Sequence, residues 1–126
     1  MAVAGSATLS SSRSGPFKKY TFAWTASAGG AVTEVAIALP TGWLEQVVFT
    51  PTNPTDLYDV TVTAGLAGGT DIIGGAGANL SGTYPNLIGA DVANLPIMIP
   101  AGNYYPTIAA AGNATTGTID FYMRTP

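Results

Sequence analysis

Apolar and polar residues alternate along most of the chain, and this period of two is typical of β-strands that bury one face. In KKYTFAWTAS, the aromatic residues Tyr20, Phe22 and Trp24 share one face, and the residues between them share the other. The same alternation runs through AVTEVAIAL, LYDVTVT and TGTIDFYMR. No helical period extends beyond one turn, so the pattern predicts strands throughout.

Turn signals separate these strands. In LPTGW, Pro40 and Gly42 occupy the second and fourth positions of a type I turn, and IPAGN repeats this spacing. The period of the stretch WLEQVVFT is blurred, which indicates either a strand covered on both faces or a β-bulge. Pro96 and Pro106 lie in two further strand-like stretches and predict edge strands, because proline donates no hydrogen bond to a neighbouring strand.

Together the strands and turns predict an all-β fold, a single antiparallel β-sandwich of about seven or eight strands, with a jelly roll as a candidate topology. An open barrel is the alternative. Residues 17–126 are predicted to form this domain. Residues 1–16 are rich in small and hydroxyl side chains and lack a strand pattern, so they are predicted to be a flexible arm without the features of a signal peptide.

Charge is distributed unevenly between the arm and the body. Residues 1–19 carry Arg13, Lys18 and Lys19 and no acidic residue, which gives +3. The remaining residues carry one arginine and seven acidic residues, which gives −6 and leaves the chain at −3. We therefore expect the arm to be mobile in the free protein and to become ordered on an acidic partner, with these three basic residues as candidate contacts.

The composition excludes several kinds of chemistry. The 126 residues include no cysteine and no histidine, which excludes disulfides, cysteine-ligated metals and catalytic triads based on either residue. Charged residues make up 9% of the chain, against about 25% in an ordinary soluble domain. The acidic body argues against nucleic-acid binding, and no apolar run reaches the ~20 residues of a membrane helix.

A charge-poor surface gives up little hydration when another surface covers it, which favours packing against other copies or other proteins. The sequence thus predicts a homo-oligomer, with a trimer favoured, that has no enzymatic activity and no cofactor. The alternative interpretation is a secreted or extracellular β domain with a threonine-rich face, since the chain has 17 threonines.

Glycines are concentrated in one segment, because residues 64–91 contain 8 of the 16. Its GGAGANLSG stretch resembles a phosphate-binding loop but lacks the following Lys and Ser/Thr. Asp56, Asp59 and Asp71 do not have the spacing of a calcium loop. We interpret Asp56 as the cap of the turn after Pro54 and Asp59 as a solvated strand residue. The segment is predicted to contact a neighbouring subunit, and the candidate contacts are Gly74, Gly75 and Gly77.

Among the aromatic residues, Trp43, Tyr84 and Tyr105 are the best candidates for exposure. Exposed aromatic side chains on a β-sheet are typical of subunit contacts, and we add Trp43 and Tyr105 to the candidate partner contacts. A sugar-stacking platform is the alternative.

Four blocks carry a family resemblance: KKYTFAWTASAGGAV, PTDLYDVTVT, DIIGGAGANLSG and AAAGNATTGTIDFYMR. Their order resembles that in small virion structural proteins of tailed bacteriophages, over residues 18–126. The resemblance implies a non-enzymatic protein of the virion, most directly a capsid decoration protein on the lattice of the major capsid protein. A head–tail, neck or tail component is one alternative, and a carbohydrate-binding or adhesin-type β-sandwich is another.

Overall fold

The computed structural model describes residues 5–33, 35–53, 58–64, 70–82, 85–88 and 97–124, which contain strands and no helix. The strands are β1 (Ser6–Ser14), β2 (Phe17–Thr25), β3 (Ile37–Leu39), β4 (Gly42–Pro51), β5 (Asp59–Thr63), β6 (Asn86–Ile88), β7 (Ile97–Ile99), β8 (Gly102–Ala109) and β9 (Thr116–Arg124).

These strands form two antiparallel sheets. The large sheet has the order β1-β2-β9-β4, and both β6 and β7 pair with the far edge of β4. The small sheet has the order β3-β8-β5. The predicted all-β sandwich is therefore confirmed. From β2 to β5 each successive strand changes sheet, and β8 and β9 insert between earlier strands.

The core lies between the two sheets and follows from the alternation seen in the sequence. On β2, Tyr20, Phe22 and Trp24 are buried, as predicted, and the residues between them face outward. From the small sheet, Val60 and Val62 of β5 pack into the same cluster. The largest fully buried side chains are Trp24, Tyr58, Phe22, Phe49, Phe121, Ile37, Leu44, Ile73, Ile108, Ile119, Met123 and Val32.

The blurred period of β4 results from a β-bulge, the second of the two explanations that the sequence left open. The register against β9 shifts between Leu44 and Gln46. The extra residue, Glu45, restores the phase, so that Leu44, Val47 and Phe49 all face the core.

The prediction that residues 1–16 lack strand structure is wrong for Ser6–Ser14. This segment is β1, and nine consecutive residues pair with β2 without a register shift. The sequence shows no alternation there because most residues of β1 are exposed on both faces of the strand. Ala7 is the β1 residue that packs against the core.

The edge position predicted for Pro106 is also wrong, because β8 is the central strand of the small sheet. Its neighbour β3 pairs only with Gly102–Tyr104, and the next contact on that side is the bridge between Val32 and Ile108. Pro106 falls in the gap between these pairings, where a missing N–H breaks no ladder. Pro96 lies outside the described residues.

Candidate functional site

The three basic residues predicted as partner contacts lie on the β1–β2 hairpin but do not form one patch. Arg13 and Lys18 are register partners and share the face of the core, at the end of the sandwich. The Lys18 Nζ lies 5.4 Å from the centre of the Tyr20 ring, a cation–π contact. Lys19 points to the outer face, opposite Tyr122 of β9. Strand alternation therefore separates Lys19 from the other two.

The two aromatic candidates lie on opposite sides of the sandwich. Trp43 is half-buried on the outer face of the large sheet, between Met98 and Arg124 in the register. Tyr105 lies on the outer face of the small sheet, opposite Thr63. These two rings cannot form a single sugar-stacking platform. Tyr84 lies outside the described residues.

The described part of the glycine-rich segment runs along the free edge of β5. Backbone hydrogen bonds tie it to that strand, from Val60 N to Gly77 O at 2.8 Å and from Ile72 N to Val62 O at 2.7 Å. Gly77 is buried, and a Cβ there would lie 2.2 Å from Val60 O. Gly74 and Gly75 are exposed and have positive φ. Gly77 thus has an internal role, while contact of Gly74 and Gly75 with a partner stays a prediction.

Two aspartates hold the glycine-rich segment against the edge of β5. The Asp71 carboxylate accepts hydrogen bonds from the backbone N–H groups of Val62, Ile73 and Gly75, and the Asp59 carboxylate accepts one from Asn79. Both carboxylates therefore organise the backbone. The sequence predicted only a solvated strand residue at Asp59 and no such role for Asp71. Asp56 lies outside the described residues.

One part of the outer face of the large sheet, on β1, β2 and the first half of β9, is rich in small hydroxyl side chains. Thr8, Ala23, Thr118 and Thr50 form one row across β1, β2, β9 and β4. Around exposed Ala23 lies an open depression of about 370 Å³. Its lining consists of Ser6, Ala7, Thr8, Ala23, Trp24, Thr25, Thr52, Thr116, Gly117 and Thr118.

Charges on this outer face are few, and two of the four form an ion pair. Asp120 accepts a hydrogen bond from the Thr21 hydroxyl at 2.6 Å. Arg124 forms an ion pair with Glu45, in which the closest N···O distance is 2.7 Å. Lys19 is the remaining charged residue of the face, and within the described ranges it makes no ion pair. The four charges sum to zero.

Sequence reasoning missed Leu9 and Met98, which are the exposed large apolar residues within the described ranges, with exposed fractions of 40% and 48%. Leu9 lies at the middle of β1, opposite buried Phe22, and Met98 lies beside Trp43. The signal available for Leu9 was an apolar residue inside a run of small hydroxyl residues followed by a Gly-Pro turn.

Burial changes the titration of two core tyrosines. Tyr58 packs against Trp24 with ring centroids 5.9 Å apart, and desolvation raises the pKa of Tyr58 to about 12. Desolvation also raises the pKa of Tyr104, whose hydroxyl donates to Pro100 O at 2.6 Å.

We expect the free energy of unfolding to fall as the pH rises from about 10 to about 12. An unfolded tyrosine ionises near pH 10, whereas folded Tyr58 keeps its proton until about pH 12, so the unfolded state loses the proton first. The contribution of Tyr58 is about 1–2 kcal/mol, fully present below pH 10. Urea denaturation at pH 8 and pH 11.5 measures it. A Tyr58→Phe variant with the same loss between these pH values as the parent would contradict this assignment.

The described residues contain no group of three or more potential metal ligands. Within the same ranges no helix is long and apolar enough to cross a bilayer. No protein-family model, no curated protein and no solved structure matches the chain.

Proposed function

We propose that the chain is a non-enzymatic structural protein of a bacteriophage virion, a capsid decoration protein that self-associates and docks on the lattice of the major capsid protein. The docking surface is the outer face of the large sheet. The observation that carries this proposal is the charge balance of that face, where Asp120 and Glu45 are already engaged by Thr21 and Arg124.

A surface of this kind gives up little hydration when it is covered. Burial of an unpaired charge is costly. Here Arg124 and Glu45 pair with each other and Asp120 keeps a hydrogen bond from Thr21, while Lys19 makes no ion pair within the described residues. The threonine and serine hydroxyls rotate to donate or accept hydrogen bonds, so they adapt to the polar groups of a partner. The partner is proposed from the resemblance of the block order to that of phage virion proteins.

Docking through this face predicts that Ala23→Arg lowers binding to particles that lack the protein by at least about 30-fold. Ala23 is exposed and lines the depression, so an arginine is accommodated in the free domain but places a desolvated charge in the interface. The matched control is Ala38→Arg, at an exposed alanine on the outer face of the small sheet. Binding is measured by co-sedimentation with particles, and melting temperature verifies both folds.

Equal binding by Ala23→Arg and the parent chain would refute docking through this face.

Quantitative mass spectrometry of purified virions tests where in the particle the protein lies. Hundreds of copies per virion indicate decoration, whereas about a dozen indicate the neck or tail, which is the alternative proposal. Absence of the chain from virions together with binding to a glycan array would replace both proposals with the carbohydrate-binding alternative.

A further inference from the structure

β1 provides the one long open strand edge in the described part of the sandwich. The other edge of the large sheet consists of β6 and β7, which have three residues each. In the small sheet, β3 also has three residues, and the free edge of β5 is covered by the segment 71–82. β1 has nine residues and pairs on one side with β2.

The edge of β1 lacks the features with which proteins block edge-to-edge pairing. It contains no proline, and its nine register pairs with β2 are uninterrupted by a bulge. Its one charged residue, Arg13, lies next to its end. The serines leave the backbone open to a second strand, and Leu9 at the centre is 40% exposed. Such an edge is a template for another strand.

We propose that β1 pairs antiparallel with β1 of a second copy, about a twofold axis at Leu9, so that the two large sheets become one continuous sheet. This inference rests on the self-association included in the proposed function and names the surface that produces it. The two Leu9 side chains become direct cross-strand neighbours, which covers apolar surface that is exposed in the single chain.

Charge favours a second copy in this orientation. The twofold axis places Arg13 of one copy opposite Gly5 of the other, and the basic hairpin ends of the two copies point away from each other. A parallel arrangement would set the two Arg13 side chains side by side, which is destabilising. Twofold pairing gives a dimer or an even-numbered assembly, in place of the trimer predicted from composition.

Because the chain has no cysteine, single cysteines report on this contact without background. In the proposed dimer the two Cβ atoms at position 9 are about 4.5–5.5 Å apart, close to disulfide geometry. Leu9→Cys should therefore form a covalent dimer under mild oxidation. Ser6→Cys and Ser12→Cys should each remain uncrosslinked alone, because identical positions are then about 20 Å apart. Mixed together, these two variants should crosslink, since Ser6 lies opposite Ser12 of the second copy.

Dissociation gives an independent measurement. Leu9→Glu places two carboxylates side by side at the axis and should weaken dimerisation in analytical ultracentrifugation by at least about 30-fold. Met98→Glu, at the other exposed large apolar residue, is the matched control and should leave dimerisation unchanged. Both variants keep the core intact, and equal melting temperatures verify this.

Three results would overturn the inference. In the first, the parent chain is monomeric at hundreds of micromolar. In the second, the chain is a trimer in which Leu9→Cys does not crosslink. In the third, the edge of β1 pairs only with a segment of another virion protein. Particle binding is scored separately with Ala23→Arg. If docking depends on Ala23 while β1 does not pair, the proposed docking on the capsid is retained and only the proposed β1 dimer is rejected.

Discussion

Replacing Gly77 by alanine is expected to lower the free energy of unfolding by about 3 kcal/mol. A Cβ at position 77 would lie 2.2 Å from the carbonyl oxygen of Val60 and 3.1 Å from the Ile73 Cδ1 atom. A backbone oxygen inside a sheet cannot move aside as the end of a side chain does. The segment would shift away from β5 and lose the hydrogen bond from Val60 N to Gly77 O.

Two other glycines make the comparison specific. Gly75 has a φ of +86° and open space around its Cβ position, so alanine there adds backbone strain of about 1 kcal/mol without a collision. Gly102 also has open space around its Cβ position but no positive φ, so alanine there should change stability by less than about 0.5 kcal/mol. Urea denaturation of the three variants tests the order. A Gly77→Ala variant as stable as Gly102→Ala would show that the close approach to Val60 is absent in solution.

The sequence could predict the strands that bury one face, because burial itself imposes the alternation. Tyr20, Phe22 and Trp24 identify β2 in this way, and the inward residues of β5 and β9 follow the same rule. The inward residues of these strands can be predicted from this rule, whereas the order of the strands in the two sheets cannot. The bulge at Glu45 was an open alternative, since one extra residue reverses the phase of every residue after it.

β1 could not be predicted in the same way, because an edge strand without cover has no face to bury. Its serines satisfy the backbone pairing with β2 without any constraint on side-chain polarity. Composition therefore indicated a flexible arm where pairing produces a strand. For the same reason the sequence could not predict the β1 edge as a partner surface, since an open edge is a property of the strand order and not of the residues in the strand.

The sequence predicted partner contacts from charge and from glycine, but only the strand order shows on which face each of these residues lies. Lys19 reaches the proposed docking face, whereas Arg13 and Lys18 lie on the other face of the hairpin. Residue type alone cannot make this separation, because adjacent residues of a strand point in opposite directions. Once the faces are known, docking and self-association belong to different parts of the large sheet, its outer face and its β1 edge, and both are available at once.

Replacing Asp71 by alanine is expected to lower the free energy of unfolding by about 2–3 kcal/mol. Its carboxylate accepts from Val62 N at 2.9 Å, Ile73 N at 3.3 Å and Gly75 N at 2.9 Å. The bond from Val62 matters most, since this N–H belongs to the central part of β5, and an unpaired buried N–H costs about 1–3 kcal/mol. Asp59→Ala, the matched control, removes a single bond from the exposed Asn79 N–H and should cost about 1 kcal/mol or less. Hydrogen exchange provides the local measurement, because the Val62 amide should exchange at least about tenfold faster in Asp71→Ala than in Asp59→Ala. If the two variants had equal stability and equal exchange at Val62, the carboxylate of Asp71 would not be closing the edge of β5, and the glycine-rich segment would need another anchor.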